Sequence, residues 1–302
     1  MPVIEVENLI KRYESKTAVD GVSFTVEPGE IFGILGPNGA GKTTTVECIE
    51  GLRRPDGGSV KVFGLDPLRD AEALRERLGV QLQESQLPDK MKVREALKLY
   101  ASLYRDPADP LELLEQLGLT DKLDSYYSKL SGGQKQRLSI ALALIGNPEV
   151  AVLDELTTGL DPSARRDTWE LIEKVRDRGV TILLVTHFMD EAERLCDRLA
   201  IFNKGKVVAV DTPSALIEQV QSDVRVHFQP SKPVDSAILE ALPEVTAVHT
   251  TATETVVTGT GNVLFAVTSA LAAQQVIANN LRVEQANLEN VFLQLTGHSI
   301  ED

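Results

Sequence analysis

The nine residues Gly36-Pro37-Asn38-Gly39-Ala40-Gly41-Lys42-Thr43-Thr44 constrain this chain more than any other stretch. They fit G-x-x-x-x-G-K-[ST], with a short apolar run, Ile31–Leu35, before them and a helix-compatible run, Thr45–Glu50, after them. That order predicts a buried parallel strand delivering the chain into a phosphate-binding loop at a helix start. Glycine lacks a Cβ, so backbone N–H groups can turn inward around an anion, and the helix behind adds the positive end of its dipole. Lys42 is then placed for the β- and γ-phosphates and the Thr43 hydroxyl for Mg²⁺. A nucleoside triphosphate is the expected ligand.

Upstream, Val3–Glu7 and Ala18–Val26 alternate apolar and polar residues, which predicts strands of a partly exposed antiparallel sheet. Tyr13 lies between them, either as a surface residue or as an aromatic that stacks on a base. Downstream, Ser59–Phe63 and Gly79-Val80-Gln81-Leu82-Gln83 read as strands. A glutamine at the end of the second could place its amide oxygen near a metal or an attacking water. From Met91 to about Leu130 the spacing turns helical, with no strand pattern between, which predicts a helical subdomain inserted into an α/β core. It closes on Leu130-Ser131-Gly132-Gly133-Gln134, where Ser131 is a good N-cap for a helix over Gln134–Leu144. A second cluster of N–H groups at a helix start is a second anion site on one chain.

Glu149–Glu155 is an apolar strand ending in two carboxylates, Asp154 and Glu155. Asp154 suits Mg²⁺, directly or through water, and Glu155 suits an attacking water as base. Two acids closing a buried strand are costly unless a cation meets them. Asp161 precedes Pro162 and reads as the cap of a helix that starts there. Val180–Thr186 is another core strand, and His187 at its end could hydrogen-bond a γ-phosphate. Asp190–Leu199 reads as helix, and Leu199–Phe202 with Lys206–Val210 as a hairpin. Strands alternating with helices imply a doubly wound, largely parallel sheet with functional loops at its carboxyl edge.

Together these motifs resemble the ATP-binding subunit of an ABC transporter, over roughly residues 3–216. The most specific element is the signature Leu130-Ser131-Gly132-Gly133-Gln134. The resemblance implies a P-loop NTPase cassette with an antiparallel β subdomain and a helical subdomain at about 84–145, together spanning 1–220. It makes Tyr13 the adenine-stacking aromatic, Gly36–Thr44 the phosphate loop and Gln83 the glutamine facing Mg²⁺ and the membrane subunit, with Gln81 as the alternative. Thr43 and Asp154 become Mg²⁺ ligands, Glu155 the catalytic base, Asp161 the D-loop aspartate and His187 the switch histidine. It further implies a head-to-tail homodimer, each ATP held between one copy's phosphate loop and the other's Ser131–Gln134, and a separately encoded integral-membrane permease as partner. Leu156 departs from the pattern, which commonly has Pro there. An N–H and a free φ at that point predict a less rigid entry to the D-loop.

Residues 221–302 read as βαββαβ, a small ferredoxin-like α+β module, with a helix Val263–Ala278 and a last strand Leu281–Glu284. Leu288, Val291, Phe292 and Leu295 then form a helical stripe suited to core or dimer packing. The ending Ala286–Gly297 resembles the tail of ABC-2 type exporter ATPases, which implies export. The module carries no cluster of His, Cys or paired acids and is assigned no chemistry.

Composition narrows the partners. With 45 acidic and 31 basic residues the net charge is −14, and without a dense Lys/Arg run nucleic acid is not an expected partner. The two cysteines, Cys48 and Cys196, read as reduced buried thiols. Met1–Glu5 does not read as a signal peptide and no apolar run approaches a membrane span, so a cytosolic protein, held at the cytoplasmic face of the membrane by its permease, is expected.

Overall fold

The computed structural model describes residues 1–14, 16–81, 87–219, 224–251, 254–284 and 286–297. The chain divides into two compact units, Met1–Pro213 and a second that begins at Ser214.

In the first unit the elements are β1 (Ile4–Tyr13), β2 (Lys16–Val26), β3 (Ile31–Leu35), α1 (Lys42–Ile49), β4 (Gly57–Val62), α2 (Ala71–Arg75) and β5 (Leu78–Gln81). There follow α3 (Val93–Ala101), α4 (Pro110–Gln116), α5 (Gly132–Leu144), β6 (Val150–Asp154), α6 (Pro162–Arg176), β7 (Thr181–Thr186), α7 (Met189–Leu195), β8 (Arg198–Asn203) and β9 (Lys206–Asp211). Strands β2-β1-β4 form an antiparallel sheet. Strands β5-β6-β7-β3-β8-β9 form the main sheet, parallel except for β9 at its edge. The central strands β3, β6 and β7 are buried at every residue, as a parallel sheet covered on both faces requires. Each such Ile, Leu or Phe contributes about 1.5–3 kcal/mol by leaving water. Strand order places β6 and β3 on either side of β7, so Leu35, Asp154 and Thr186 end side by side at the carboxyl edge.

Several predicted boundaries shift. The first hairpin reaches Tyr13 and Lys16 because register shifts after Val6 and Leu9 interrupt its alternation, leaving Tyr13 at the end of β1 rather than between strands. The β4 strand covers Gly57–Val62, and α5 begins at Gly132, two residues before the expected start. Strand β5 is described over Leu78–Gln81; Leu82 and Gln83, expected to continue it, lie outside the described residues. Helix α7 stops at Leu195, well short of Leu199, because the Asp197 side chain turns to accept a hydrogen bond from Ile31 N–H at 2.8 Å. Packing then sets the spacing: a Cβ on Gly33 of β3 would stand 2.6 Å from Cys196 Sγ. Cys48 and Cys196 are both buried and free.

The second unit contains β10 (Val224–Pro230), α9 (Ser236–Glu240), β11 (Val245–Thr250), β12 (Thr255–Gly259), α10 (Val263–Ala273), β13 (Ala278–Glu284) and α11 (Leu288–Thr296), preceded by α8 (Pro213–Gln219). Its sheet has the order β11-β12-β10-β13, antiparallel throughout, over a core that includes Val226, Phe228, Leu239, Val257, Val263, Val267 and Leu271. Helix α10 ends at Ala273, not Ala278, and residues 278–280 join β13 instead. In α11, Leu288, Val291 and Phe292 are buried whereas Leu295 is exposed.

Candidate active site

The loop from β3 to α1 is shaped by close backbone approach. Gly41 is the N-cap of α1 at φ +100°, and a Cβ there would stand 2.5 Å from Ala18 O of β2. A Cβ on Gly36 would stand 2.4 Å from Phe202 O. Only glycine fits either place. The loop is further held by Gly205 N–H, which donates to Ala40 O at 3.0 Å. Lys42 is 6% exposed, and its ammonium donates to Gly36 O at 2.6 Å and Pro37 O at 3.1 Å. Burial pushes its pKa down, while Glu155 and Asp154 pull it back up. Thr43 and Asn38 are exposed.

Across the carboxyl edge, Asp154 is 8% exposed. Desolvation first, and Glu155 second, push its carboxyl up to about 6, with Lys42 opposing. Glu155 turns at φ +48°, donates its N–H to Val185 O at 2.9 Å, and aims Oε1 at His187 Nδ1, 3.2 Å away. The His187 ring packs on Phe188 with centroids 4.1 Å apart. Lys42, Asp154, Glu155 and His187, chosen from three separate stretches of sequence, therefore occupy one edge of one sheet. A carboxylate so poorly solvated fits a cation beside it. Among the described residues no group of three or more His, Cys, Asp or Glu converges on a metal cage. The oxygen donors Thr43 and Asp154 suit Mg²⁺, an ion that takes its other ligands from phosphate and water.

Gln83 lies outside the described residues. Gln81, the alternative, ends β5 opposite Leu153, and its buried Oε1 has no hydrogen-bond partner. Tyr13 is partly exposed, with the Arg53 guanidinium 5.2 Å and the Lys11 ammonium 5.7 Å from its ring centre. Ser131 caps α5 reciprocally: its Oγ accepts from Gln134 N–H at 3.3 Å and Gln134 Oε1 accepts from Ser131 N–H at 2.9 Å. Ser131 and Gly132 are exposed, and a Cβ on Gly133 would meet Ala164 of α6 at 3.4 Å, so this helix start sits beside the D-loop end of α6. Asp161 caps α6 by accepting from Ser163 and Ala164 N–H, both at 3.0 Å. Leu156 is wholly buried, so its side chain anchors the loop that its free φ was expected to loosen.

Two acidic residues escaped sequence reasoning. Glu50, at the end of α1, is pushed up to about 8 by burial, then by Asp154 and Glu47. Glu191 of α7 is fully buried. Nothing in the sequence beside either acid marks it, and only tertiary packing distinguishes it from a surface acid.

Residues 19–158 match the family described as ABC transporter. Nod factor export ATP-binding protein I of Burkholderia lata is 42% identical over 315 residues that cover all of both chains. The protein of the same name from Ralstonia nicotianae is 38% identical over 320 residues, covering 100% of this chain and 96% of its own. A solved structure of an ATP-binding subunit of an ABC transporter matches with a TM-score of 0.65 at 31% identity, over 72% of this chain and 92% of that one. A dimeric ATP-binding cassette in a post-hydrolysis state bound to ADP and Pi matches with a TM-score of 0.61 at 26% identity, over 69% and 98%.

Proposed function

This chain belongs to the ABC transporter family as the ATP-binding, ATP-hydrolysing subunit of an exporter, and from that premise we propose how its site works. The phosphate loop wraps the triphosphate with its backbone N–H groups, and Lys42 leaves the Gly36 and Pro37 carbonyls to meet the β- and γ-phosphates. Tyr13 stacks on adenine. Thr43 and Asp154, with Gln83, would hold Mg²⁺, which would neutralise charge on the phosphates. Glu155 accepts the proton of the attacking water, and His187 holds Glu155 from the other side. The observation that carries this reading is the Glu155–His187 contact of 3.2 Å beside Asp154 at the mouth of the loop.

The site is half of a chamber. Ser131–Gln134 and Asp161 of a second copy complete it, so ATP joins two copies and hydrolysis releases them. Support comes from the exposed start of α5 beside α6: Ser131 and Gln134 N–H close the reciprocal cap, which leaves the N–H groups of Gly132 and Gly133 to a phosphate held by another copy's loop.

The permease docks on a different face. No helix among the described residues is long and apolar enough to cross a membrane, so coupling to transport requires a groove for another chain. A cavity of about 520 Å³ opens between the end of α1, α2, β5 and the end of α3. Leu52 and Leu103 stand on it 66% and 69% exposed, and Glu50 lines it. Exposed leucines of that size suit an apolar helix end of a membrane partner. The partner holds the subunit at the cytoplasmic face of the membrane. The test is ATP affinity and phosphate release by the purified chain: Lys42→Ala is expected to lose both. A Lys42→Ala variant that hydrolyses ATP as the parent does would overturn the reading.

A further inference from the structure

Helix α6 and the segment after β7 are joined by three contacts along one face. Asp161 caps the helix, and Arg165 and Trp169 follow at steps of four, so all three share that face. The Arg165 guanidinium lies 4.6 Å from the centre of the Phe188 ring and 3.1 Å from Asp190 Oδ2. The Trp169 indole N–H donates to Glu191 Oε1 at 3.1 Å.

Glu191 is the unusual member, since its carboxyl is wholly inside the protein. Burial pushes its pKa up, while the hydroxyls of Thr186 and Thr157 and the Trp169 N–H hold it down; Asp190 on its own helix adds to the rise. Glu191 Oε2 and Thr157 Oγ1 are both buried and make no hydrogen bond of normal geometry. The sequence positions of these partners matter. Thr157 stands two residues after Glu155, and Thr186 stands one residue before His187. Through Trp169, Glu191 joins the helix that follows His187 to the helix that Asp161 caps, and its carboxyl lies near Thr157 and Thr186, which neighbour the Glu155–His187 pair in sequence. A buried carboxyl is costly to keep, and an apolar residue would fill the space more cheaply if packing were its only use.

We propose that Glu191 is a positioning residue for ATP hydrolysis, a buried tie that holds α6 against the helix that follows His187. The proposal rests on the reading of Glu155 and His187 as the hydrolytic pair. It assigns Glu191 no contact with ATP. Loosening the tie lets Glu155 and His187 drift apart but leaves the phosphate loop intact, so turnover falls while ATP affinity holds.

The experiment uses the full chain and steady-state phosphate release, with Tm measured for every variant. Glu191→Ala is expected to lower kcat about 10- to 100-fold, the scale of a small misplacement, with KM for ATP within about twofold of the parent. Glu191→Gln keeps an oxygen for the Trp169 N–H and is expected to recover most of the lost kcat. Trp169 is the only tryptophan in the chain, so its emission reports the tie directly: Mg-ATP is expected to shift it in the parent and not in Glu191→Ala. If Glu191→Ala fails to fold, Trp169→Phe, which removes only the donor, carries the kinetic test and is expected to lower kcat at unchanged KM. An unchanged kcat in the folded variant, a KM that rises in step with the loss of kcat, or an emission shift that persists in Glu191→Ala would each overturn the proposal. Glu155→Gln runs alongside. If it turns over normally, the reading of the hydrolytic pair has failed. If it is inactive while the Glu191 variants are normal, only the tie has failed.

Discussion

Glu155 Oε1 lies 3.2 Å from His187 Nδ1, and the two residues follow the ends of neighbouring parallel strands. The contact joins a carboxylate set by β6 to an imidazole set by β7, so displacing either side chain breaks it. Glu155→Gln is therefore expected to bind ATP and to dimerise but to lose about 10²- to 10⁴-fold in turnover, the usual worth of a general base. His187→Ala should also lose turnover. Because the two act as a unit, the double variant should be no slower than the slower single. Phosphate release, with size-exclusion chromatography in ATP, checks both statements; fully multiplicative losses would show that the pair is not coupled.

Asp154 gives a pH signature in nucleotide-free, chelator-treated protein. Its carboxyl rises from an ordinary 3.8 to about 6 on folding. Between those values the unfolded chain has lost the proton that the folded chain still holds, so this group's contribution to stability falls as pH rises from about 4 to 6 and is flat above. A shift of that size corresponds to roughly 3 kcal/mol. Asp154→Asn should thus raise Tm at pH 7.5, the gain should shrink towards pH 4.5, and Mg-dependent ATP hydrolysis should be lost. Thermal melts across that range decide it. A variant less stable than the parent at pH 7.5 would mean that Lys42 depends on Asp154 more than Asp154 suffers from burial.

Two glycines of the loop separate conformational strain from collision. Gly39 has φ +76° with nothing within 4 Å of an added Cβ, whereas Gly41 has φ +100° and Ala18 O at 2.5 Å. Gly39→Ala should cost about 1 kcal/mol, the strain of a left-handed alanine. Gly41→Ala must also displace β2 or the loop, so its Tm should fall further and its ATP binding should weaken most. Equal Tm losses would contradict the close approach.

Much of this site was legible in sequence because its elements are local. The loop, the two acids closing β6, His187 after β7 and the Ser131 and Asp161 caps each depend on a short run of residues, and the structure places all of them as strand ends or helix starts. Boundaries that depend on distant contacts were not legible. The stop of α7 at Leu195 depends on Asp197 turning to Ile31, and the length of the first hairpin depends on register shifts that break its alternation. Glu50 and Glu191 were missed for the same reason: an acid becomes unusual only when other elements cover it, and nothing in its own neighbourhood says so.

Asp161 caps α6 and is proposed to face a second copy, and one substitution series can divide these two roles. As N-cap of α6 it accepts from Ser163 and Ala164 N–H, and Asp161→Ala should cost about 1 kcal/mol. Asp161→Ser restores a capping oxygen and should restore Tm. It does not restore the carboxylate proposed to face a second copy, so on that proposal its turnover should stay low. Tm and phosphate release measured on both variants test this, and full activity in Asp161→Ser would reduce the residue to a cap.

The groove beside α1, where the permease is proposed to dock, offers a test of whether hydrolysis can be uncoupled from transport. Leu103 is exposed on its rim and belongs to none of the elements that hold the loop, Asp154 or His187. Leu103→Glu puts a charge where an apolar helix end is proposed to lie, and burying an unpaired carboxylate there is costly. The isolated subunit should keep its Tm and its ATP turnover. Co-purification with the membrane partner, and transport-coupled hydrolysis in vesicles, should be lost. The contrast is what makes the result decisive: loss of turnover in the isolated subunit would place Leu103 in the fold rather than on a docking face, and retained co-purification would place the permease elsewhere.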